Sequence, residues 1–471
     1  MHPETAASVR RRWPVAALVL LLMLAVAIDQ RGQMVAQWRA LVVLSVSLRT
    51  PVVTRVADDL TAAPMIENTR LAGVPTTVAV PPGGGRHPAV IFFNGATAAG
   101  RFEPHVVRLT DALGRAGFVT VVPDLPGLRL ATLTPRALAA AAAVVHAVAS
   151  RRDVSRTGIL GVSVGCSLAL VIAERPAVRH QLSAIAGLAP YTDLRAVVMM
   201  ALTDTYPAAG GRLVHFGPNP FVGLVAARSL AAGLPPSRGR RSLLATFLAI
   251  DDNARRPLAG LGRIPTAGLG APERSLLRLL ENRDPRRFDS LYQRLPASVR
   301  SGVEQLSPLR GARSLSLPVE LASSPHDSYF PLVQYPPLLT VAPSVHLTVT
   351  SALAHAVPHA SLGDLDGVAR LDRFAVRALR DLAPPVGVDW IALAVAVIAL
   401  CLVAAEGFTG THGGVGMLGV VALLAAVPAL PHADGWRTSL DVAVAAELVA
   451  VAVILAGRRQ RAARPLGRRP A

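Results

Sequence analysis

The sequence predicts an α/β fold, a doubly wound and mostly parallel sheet with a helical cap inserted into it and transmembrane helices added at both chain ends. Three observations predict this. Short apolar runs bounded by Gly or Pro alternate with helical patterns between about residues 64 and 385, the rhythm of strands buried on both faces. A block from 195 to 310 breaks that rhythm with Arg/Leu-rich helical spacing. Four apolar stretches crowd the two ends of the chain, and the 52% hydrophobic content and mean hydropathy of +0.44 are too high for a purely water-soluble protein of 471 residues.

In chain order, Arg10, Arg11 and Arg12 precede an apolar run from Val15 to Ile28, the pattern of a signal anchor over residues 1–30. Cleavage after Ala25-Val26-Ala27 is the alternative. Residues 31–63 read as a juxtamembrane linker, and residues 64–82 alternate enough to form an edge hairpin. Pro88 to Phe93 and Gly117 to Val122 read as buried strands, with a helix from Phe102 to Ala116 between them. Thr134-Pro135 opens an alanine-rich helix to Ser150. Further strands are expected at Leu182 to Ala189, Ser316 to Ser323 and Ser344 to Thr350. The sheet domain thus runs over 64–194 and 311–385, and 195–310 is its cap, because structureless loops of that length are rare in compact domains. Trp390 to Ala405, Val415 to Leu430 and Val442 to Ala456 are apolar enough to span a membrane within 386–457. The arginine-rich tail 458–471 then belongs in the cytoplasm, which puts the sheet domain on the outer face of a cell membrane.

Charge and composition exclude several chemistries. All 48 basic residues are arginine, and the net charge is +18. The excess suits anionic lipid headgroups. No basic stripe interleaved with aromatics accompanies it, so no nucleic-acid partner is expected. Without lysine there is no Ser-Lys dyad, phosphate-loop lysine or Schiff base. Cys166 and Cys401 make neither a disulfide framework nor a thiolate metal site. His355 and His359 are spaced as His-x-x-x-His, but Pro358 opposes a helix there and no Glu follows His355. No metal and no cofactor is expected.

The informative motif is Gly161-Val162-Ser163-Val164-Gly165, which joins an apolar strand to a small-residue helix. A strained strand-to-helix turn of this kind lifts a serine hydroxyl clear of the sheet and aims backbone N–H groups where an oxyanion forms. Serine needs a base, and the base needs an orienting carboxylate. Asp327 follows the penultimate strand and His355 the last one, in the order such a sheet requires. Ser163 is therefore expected as nucleophile, His355 as general base and later acid, and Asp327 as its orienter. His359 competes with His355, and Asp193 with Asp327; His326 reads as a loop residue. Oxyanion donors are expected from the N–H of Val164 and, in the loop Asn94-Gly95-Ala96, from that of Ala96.

The runs Pro-Ala-Val-Ile-Phe-Phe-Asn-Gly, Val-Pro-Asp-Leu-Pro-Gly, Gly-Val-Ser-Val-Gly and Pro-His-Asp-Ser-Tyr-Phe-Pro resemble the α/β-hydrolase superfamily over about Pro64 to Arg380, and its dienelactone-hydrolase and esterase branches in particular. That resemblance implies hydrolysis of a carboxylic ester or thioester through an acyl-enzyme; the membrane address points to an apolar acyl substrate. Acyl transfer on the same triad and a non-catalytic binding domain are the competing readings. Two departures from the pattern stand out: Cys166 replaces a glycine that often closes the elbow, and the cap is long.

Overall fold

The computed structural model describes residues 35–44, 61–359 and 363–384. The apolar stretches read as membrane spans, and the basic tail, lie outside these residues. Among the described residues no helix is long and apolar enough to cross a membrane.

The chain opens with helix α1 (35–44), followed by the hairpin β1 (Met65–Leu71) and β2 (Val74–Val80). Ala72 and Gly73 join these strands with φ of 48° and 79°, the left-handed pair that a two-residue hairpin turn demands. Next come β3 (His87–Phe93), α2 (Pro104–Arg115), β4 (Val119–Pro123), α3 (Pro135–Ala149), β5 (Val154–Val162), α4 (Val164–Ala173) and β6 (Ile185–Leu188). The cap holds α5 (Leu194–Thr203), a small hairpin of β7 (Thr205–Pro207) and β8 (Leu213–His215), α6 (Pro220–Gly233), α7 (Arg238–Leu248), α8 (Ala271–Leu280), α9 (Pro285–Gln293) and α10 (Ala297–Gln305). The chain returns through β9 (Val319–Ser323), α11 (Tyr335–Val341) and β10 (Val345–Val349) to a short ribbon of β11 (Leu353–Ala354) and β12 (Val357–Pro358), then α12 (Leu365–Leu382).

Among the described residues the main sheet has eight strands in the order β1-β2-β4-β3-β5-β6-β9-β10. The pairs β1–β2 and β2–β4 are antiparallel, and all the others are parallel. The inner parallel strands bury both faces, and alternate residues serve two cores. Ile91, Phe93, Ile159 and Ile185 face one core, which continues into the cap. Val90 and Ala186 face the other, between the sheet and the layer of α1, α2 and α12. This parity follows from the two-residue repeat of a strand.

Two stretches differ from expectation. Part of the span read as a linker is α1, whose Ala36, Ala40, Val42 and Val43 are buried in the second core. Its Arg39 is also buried: the guanidinium lies over the Phe118 ring at 4.7 Å, and Nε donates to the Ala116 carbonyl at 3.3 Å. An arginine among apolar residues reads as a break in a short pattern, yet it supplies the docking contacts here. The cap, expected to be purely helical, carries the β7–β8 hairpin.

Candidate active site

The C-terminal ends of β3, β5, β6, β9 and β10 share one edge, where ligands bind in open α/β sheets. Ser163 sits at that edge between β5 and α4, with φ 52° and ψ −124°. Its N–H donates to the Leu188 carbonyl at 2.8 Å, which extends the β5–β6 ladder onto the turn. Glycine is required on both sides: a methyl group at Gly161 would strike the backbone of Cys166, and one at Gly165 would strike the carbonyl oxygens of Phe93 and Asn94. Cys166 fits at the elbow because Gly187 of β6 leaves room for its sulfur. The thiol is fully buried and burial pushes its pKa up, which keeps it unreactive.

Asp327 follows β9. Its Oδ1 accepts from the N–H groups of Tyr329 at 2.7 Å and Phe330 at 3.2 Å, a local turn that fixes the carboxylate. His355 lies in the turn between β11 and β12, with φ 52°. Its Nδ1 is 3.0 and 2.9 Å from the two carboxylate oxygens of Asp327. The Asp327 side chain is 1% exposed and that of His355 is 15% exposed, so this contact is shielded from water while the ring still reaches the cavity. The imidazole is also held by aromatic contacts that sequence reasoning missed. Tyr329 stacks on it with centroids 4.2 Å apart, and Phe330 meets it edge-on at 5.7 Å. Burial, with the Asp327 carboxylate beside it, pushes the Tyr329 phenol upward. The signal was present in the run Asp-Ser-Tyr-Phe: an aspartate that accepts the N–H groups two and three residues on brings those two side chains beside whatever the carboxylate binds.

Both hydrogen bonds of the imidazole run from Nδ1 to Asp327, which leaves Nε2 for the cavity. That cavity, of about 830 Å³, is lined by Ser163, Val164, Ala96, His355 and His359 together. Asp193 is elsewhere in role: it caps α5, and its Oδ1 accepts from the N–H groups of Arg195 at 2.9 Å and Ala196 at 3.3 Å. His359 donates its backbone N–H to the Ala352 carbonyl at 3.0 Å. Among the described residues no group of three or more His, Cys, Asp or Glu side chains is gathered as a metal site would need.

The loop after β3 is braced from within. Asn94 Oδ1 accepts from the Gly95 N–H at 2.8 Å, and its Nδ2 donates to the Gly100 carbonyl at 2.9 Å. Asp124, at the end of β4, accepts from the Arg101 N–H at 2.9 Å and pairs with the Arg101 guanidinium. Arg129 Nε donates to the Ala98 carbonyl at 3.0 Å. With the Gly95 N–H committed to Asn94, the next N–H along the loop is that of Ala96.

The mostly parallel eight-stranded sheet, with a serine turn after β5 and an Asp and a His after β9 and β10, is an α/β fold consistent with the α/β-hydrolase layout that the sequence resembles. No protein-family model matches the chain, and no curated protein matches it. It does resemble solved structures. One is 2,6-dihydroxy-pseudo-oxynicotine hydrolase, at 15% identity over 68% of each chain with a TM-score of 0.39. Another is Est1E from Butyrivibrio proteoclasticus, at 14% identity over 68% of this chain and all of that one, TM-score 0.37. A third is the Pyrococcus horikoshii acylaminoacyl peptidase, at 13% identity over 71% of this chain and 44% of that one, TM-score 0.42.

Proposed function

We propose that this protein is a serine hydrolase that cleaves a carboxylic ester or thioester of an apolar acyl group through an acyl-enzyme on Ser163. The observation that carries the reading is the imidazole of His355, bonded through Nδ1 to the buried carboxylate of Asp327 on a cavity shared with a serine at a strained elbow. Asp327 fixes the tautomer that leaves the Nε2 lone pair free and stabilises the imidazolium that forms.

In the first half-reaction the Ser163 Oγ attacks the acyl carbonyl carbon, and its proton passes to His355 Nε2. The carbonyl oxygen becomes an oxyanion held by the N–H groups of Val164, at the start of α4, and Ala96. Such donors need no reorganisation as charge develops. Collapse breaks the bond to the leaving oxygen or sulfur, which takes the proton back from Nε2. Water then attacks the acyl-enzyme with His355 again as base, and releases the acid and free Ser163. Asp193, held as a helix cap, has no part in these steps.

A fluorophosphonate probe tests this reading. Labelling of the wild-type protein that vanishes in both Ser163→Ala and His355→Ala supports it, and absence of labelling in folded wild-type protein refutes it. The arginine clusters at residues 10–12 and 458–469 support an address anchored in the membrane with the active site outside; protease protection in intact cells tests that address.

A further inference from the structure

We infer that the acyl group of the substrate is an unbranched aliphatic chain, and that it is bound on the far face of the sheet, away from the cap, in a slot between the sheet, α2 and α12. The inference rests on the hydrolase reading above and names its substrate class. The cavity at Ser163 does not end under the cap. Its lining includes Phe92, Leu160 and Leu188 of the sheet. By strand parity these side chains lie opposite Phe93, Ile159 and Ile185, which face the cap-side core. The cavity therefore rounds the carboxyl ends of β3 and β5 and continues between the sheet and its outer helices.

The slot grades from a polar mouth to an apolar depth. Its polar lining residues on α2 are Glu103, His105 and Arg108, at the helix cap and first two turns. That helix end follows the C-terminus of β3, so it lies at the same edge as Ser163. Deeper on α2 the lining is Leu109 and Leu113, and every α12 residue that lines the slot is apolar, Leu371 to Leu382. The innermost of them, Leu382, packs on Gly158, five residues before Ser163 on β5. At about 3.3 Å per residue the slot is about 16 Å deep. Ala375 and Ala378, one helical turn apart on α12, leave its wall low. Val43 and Leu44 of α1 close another side.

Beyond that mouth, where Arg108 Nε is buried without a partner among the described residues, the depth between Leu109, Leu113 and α12 gives no hydrogen bond to a polar, charged or carbohydrate acid, and desolvating such a group without a partner is costly. An extended alkyl chain gains at each methylene it removes from water. The part of the cavity under the cap, which includes Thr134, Ser229 and Ser298, is left for the alcohol or thiol.

The test is the chain-length profile of p-nitrophenyl esters from butanoyl to dodecanoyl, read on purified full-length protein with Ser163→Ala as blank. Ala378→Phe fills the slot. The ratio of kcat/KM for dodecanoyl over butanoyl ester is expected to fall more than tenfold, since two displaced methylenes count for about fourfold each. Leu379→Ala opens the slot and is expected to move the optimum toward longer chains, a change that overpacking cannot produce. If neither substitution moves the profile while Ser163-dependent turnover persists, the slot does not bind the acyl group. If Val225→Phe, under the cap, produces the larger fall in the ratio, the chain lies on the cap side and the inference is overturned. Absence of Ser163-dependent turnover on every ester overturns the hydrolase reading itself.

Discussion

Asp327→Asn separates the proposed triad from its competitors, because the structure fixes what the substituted side chain must do. Asp327 Oδ1 accepts two backbone N–H groups, from Tyr329 and Phe330. An asparagine keeps those bonds only by leaving its carbonyl oxygen there, which turns its NH2 toward His355 Nδ1. The NH2 then opposes Nδ1–H where Oδ2 accepted it at 2.9 Å, and the remaining Oδ1, 3.0 Å from Nδ1, is already shared with two backbone N–H groups, which favours the tautomer with its proton on Nε2, where it cannot accept from Ser163. The charge effect adds to this. A carboxylate and an imidazolium about 4 Å apart attract by about 4 kcal/mol at an effective dielectric of about 20, which is about a thousandfold in rate. The expected result is a kcat lower by about a thousandfold on a short p-nitrophenyl ester, with KM and melting temperature little changed, since the turn and the Tyr329 stack persist. A loss smaller than tenfold in folded protein would refute the assignment and return His359 as base, or another carboxylate as orienter, to consideration.

Three further outcomes follow from the same geometry. Tyr329→Leu removes the ring stacked on His355; kcat should fall by tenfold or more, as small misplacements of a catalytic group do (up to about a hundredfold), while the melting temperature changes little. Gly165→Ala drives a methyl group into the carbonyls of Phe93 and Asn94 and so displaces the donor loop; turnover should drop by about a hundredfold, the usual cost of one lost oxyanion donor, with fluorophosphonate labelling slowed in parallel. Glu174 is held up at about 8 from 4.5, chiefly by burial, so the folded state binds a proton that the unfolded state lacks between those values, and stability falls as pH rises through that window. Glu174→Gln should remove this slope, with a gain of about 2 kcal/mol at pH 8 after allowance for partial exposure and little at pH 4.5, measured by thermal melts across that range.

The sheet was legible because buried parallel strands are short apolar runs closed by Gly and Pro, and such runs at Pro88 to Phe93 and Ser344 to Thr350 fall on β3 and β10. Strands trimmed by their loops were overdrawn: Leu182 to Ala189 shrinks to Ile185–Leu188, because the residues before it are spent on the return from a helical turn. The placement of Ser163 and His355 on one cavity, with Asp327 behind the imidazole, was legible from order alone, since each follows a strand whose carboxyl end reaches the same edge. The clamp on His355 was not, because a ring stack depends on a turn made 26 residues earlier in the chain. Helix α1 was missed for a similar reason. Ten residues with an arginine in the middle carry no decisive period, and the carbonyl of Ala116 and the ring of Phe118 that receive Arg39 come from a distant part of the chain.

Backbone strain sits on the two groups that exchange a proton in the proposed reaction and not on the group that orients them. Ser163 and His355 both have φ of 52°, a conformation that costs a non-glycine residue about 1–3 kcal/mol. Neither could hold it alone. Ser163 is pinned by the ladder bond to Leu188 and by Gly165 beneath Phe93, and His355 by the β11–β12 ribbon and the Asp327 pair. Asp327 lies in an ordinary turn capped by its own carboxylate. The strained pair is thus fixed by different elements: the elbow is built into the sheet, and the base sits on a short ribbon whose Leu353 is buried in the second core, with His355 held by Asp327 and two rings. The orientation of the His355 ring is set by the Asp327 turn, which is why substitutions there bear on kcat before they bear on the fold.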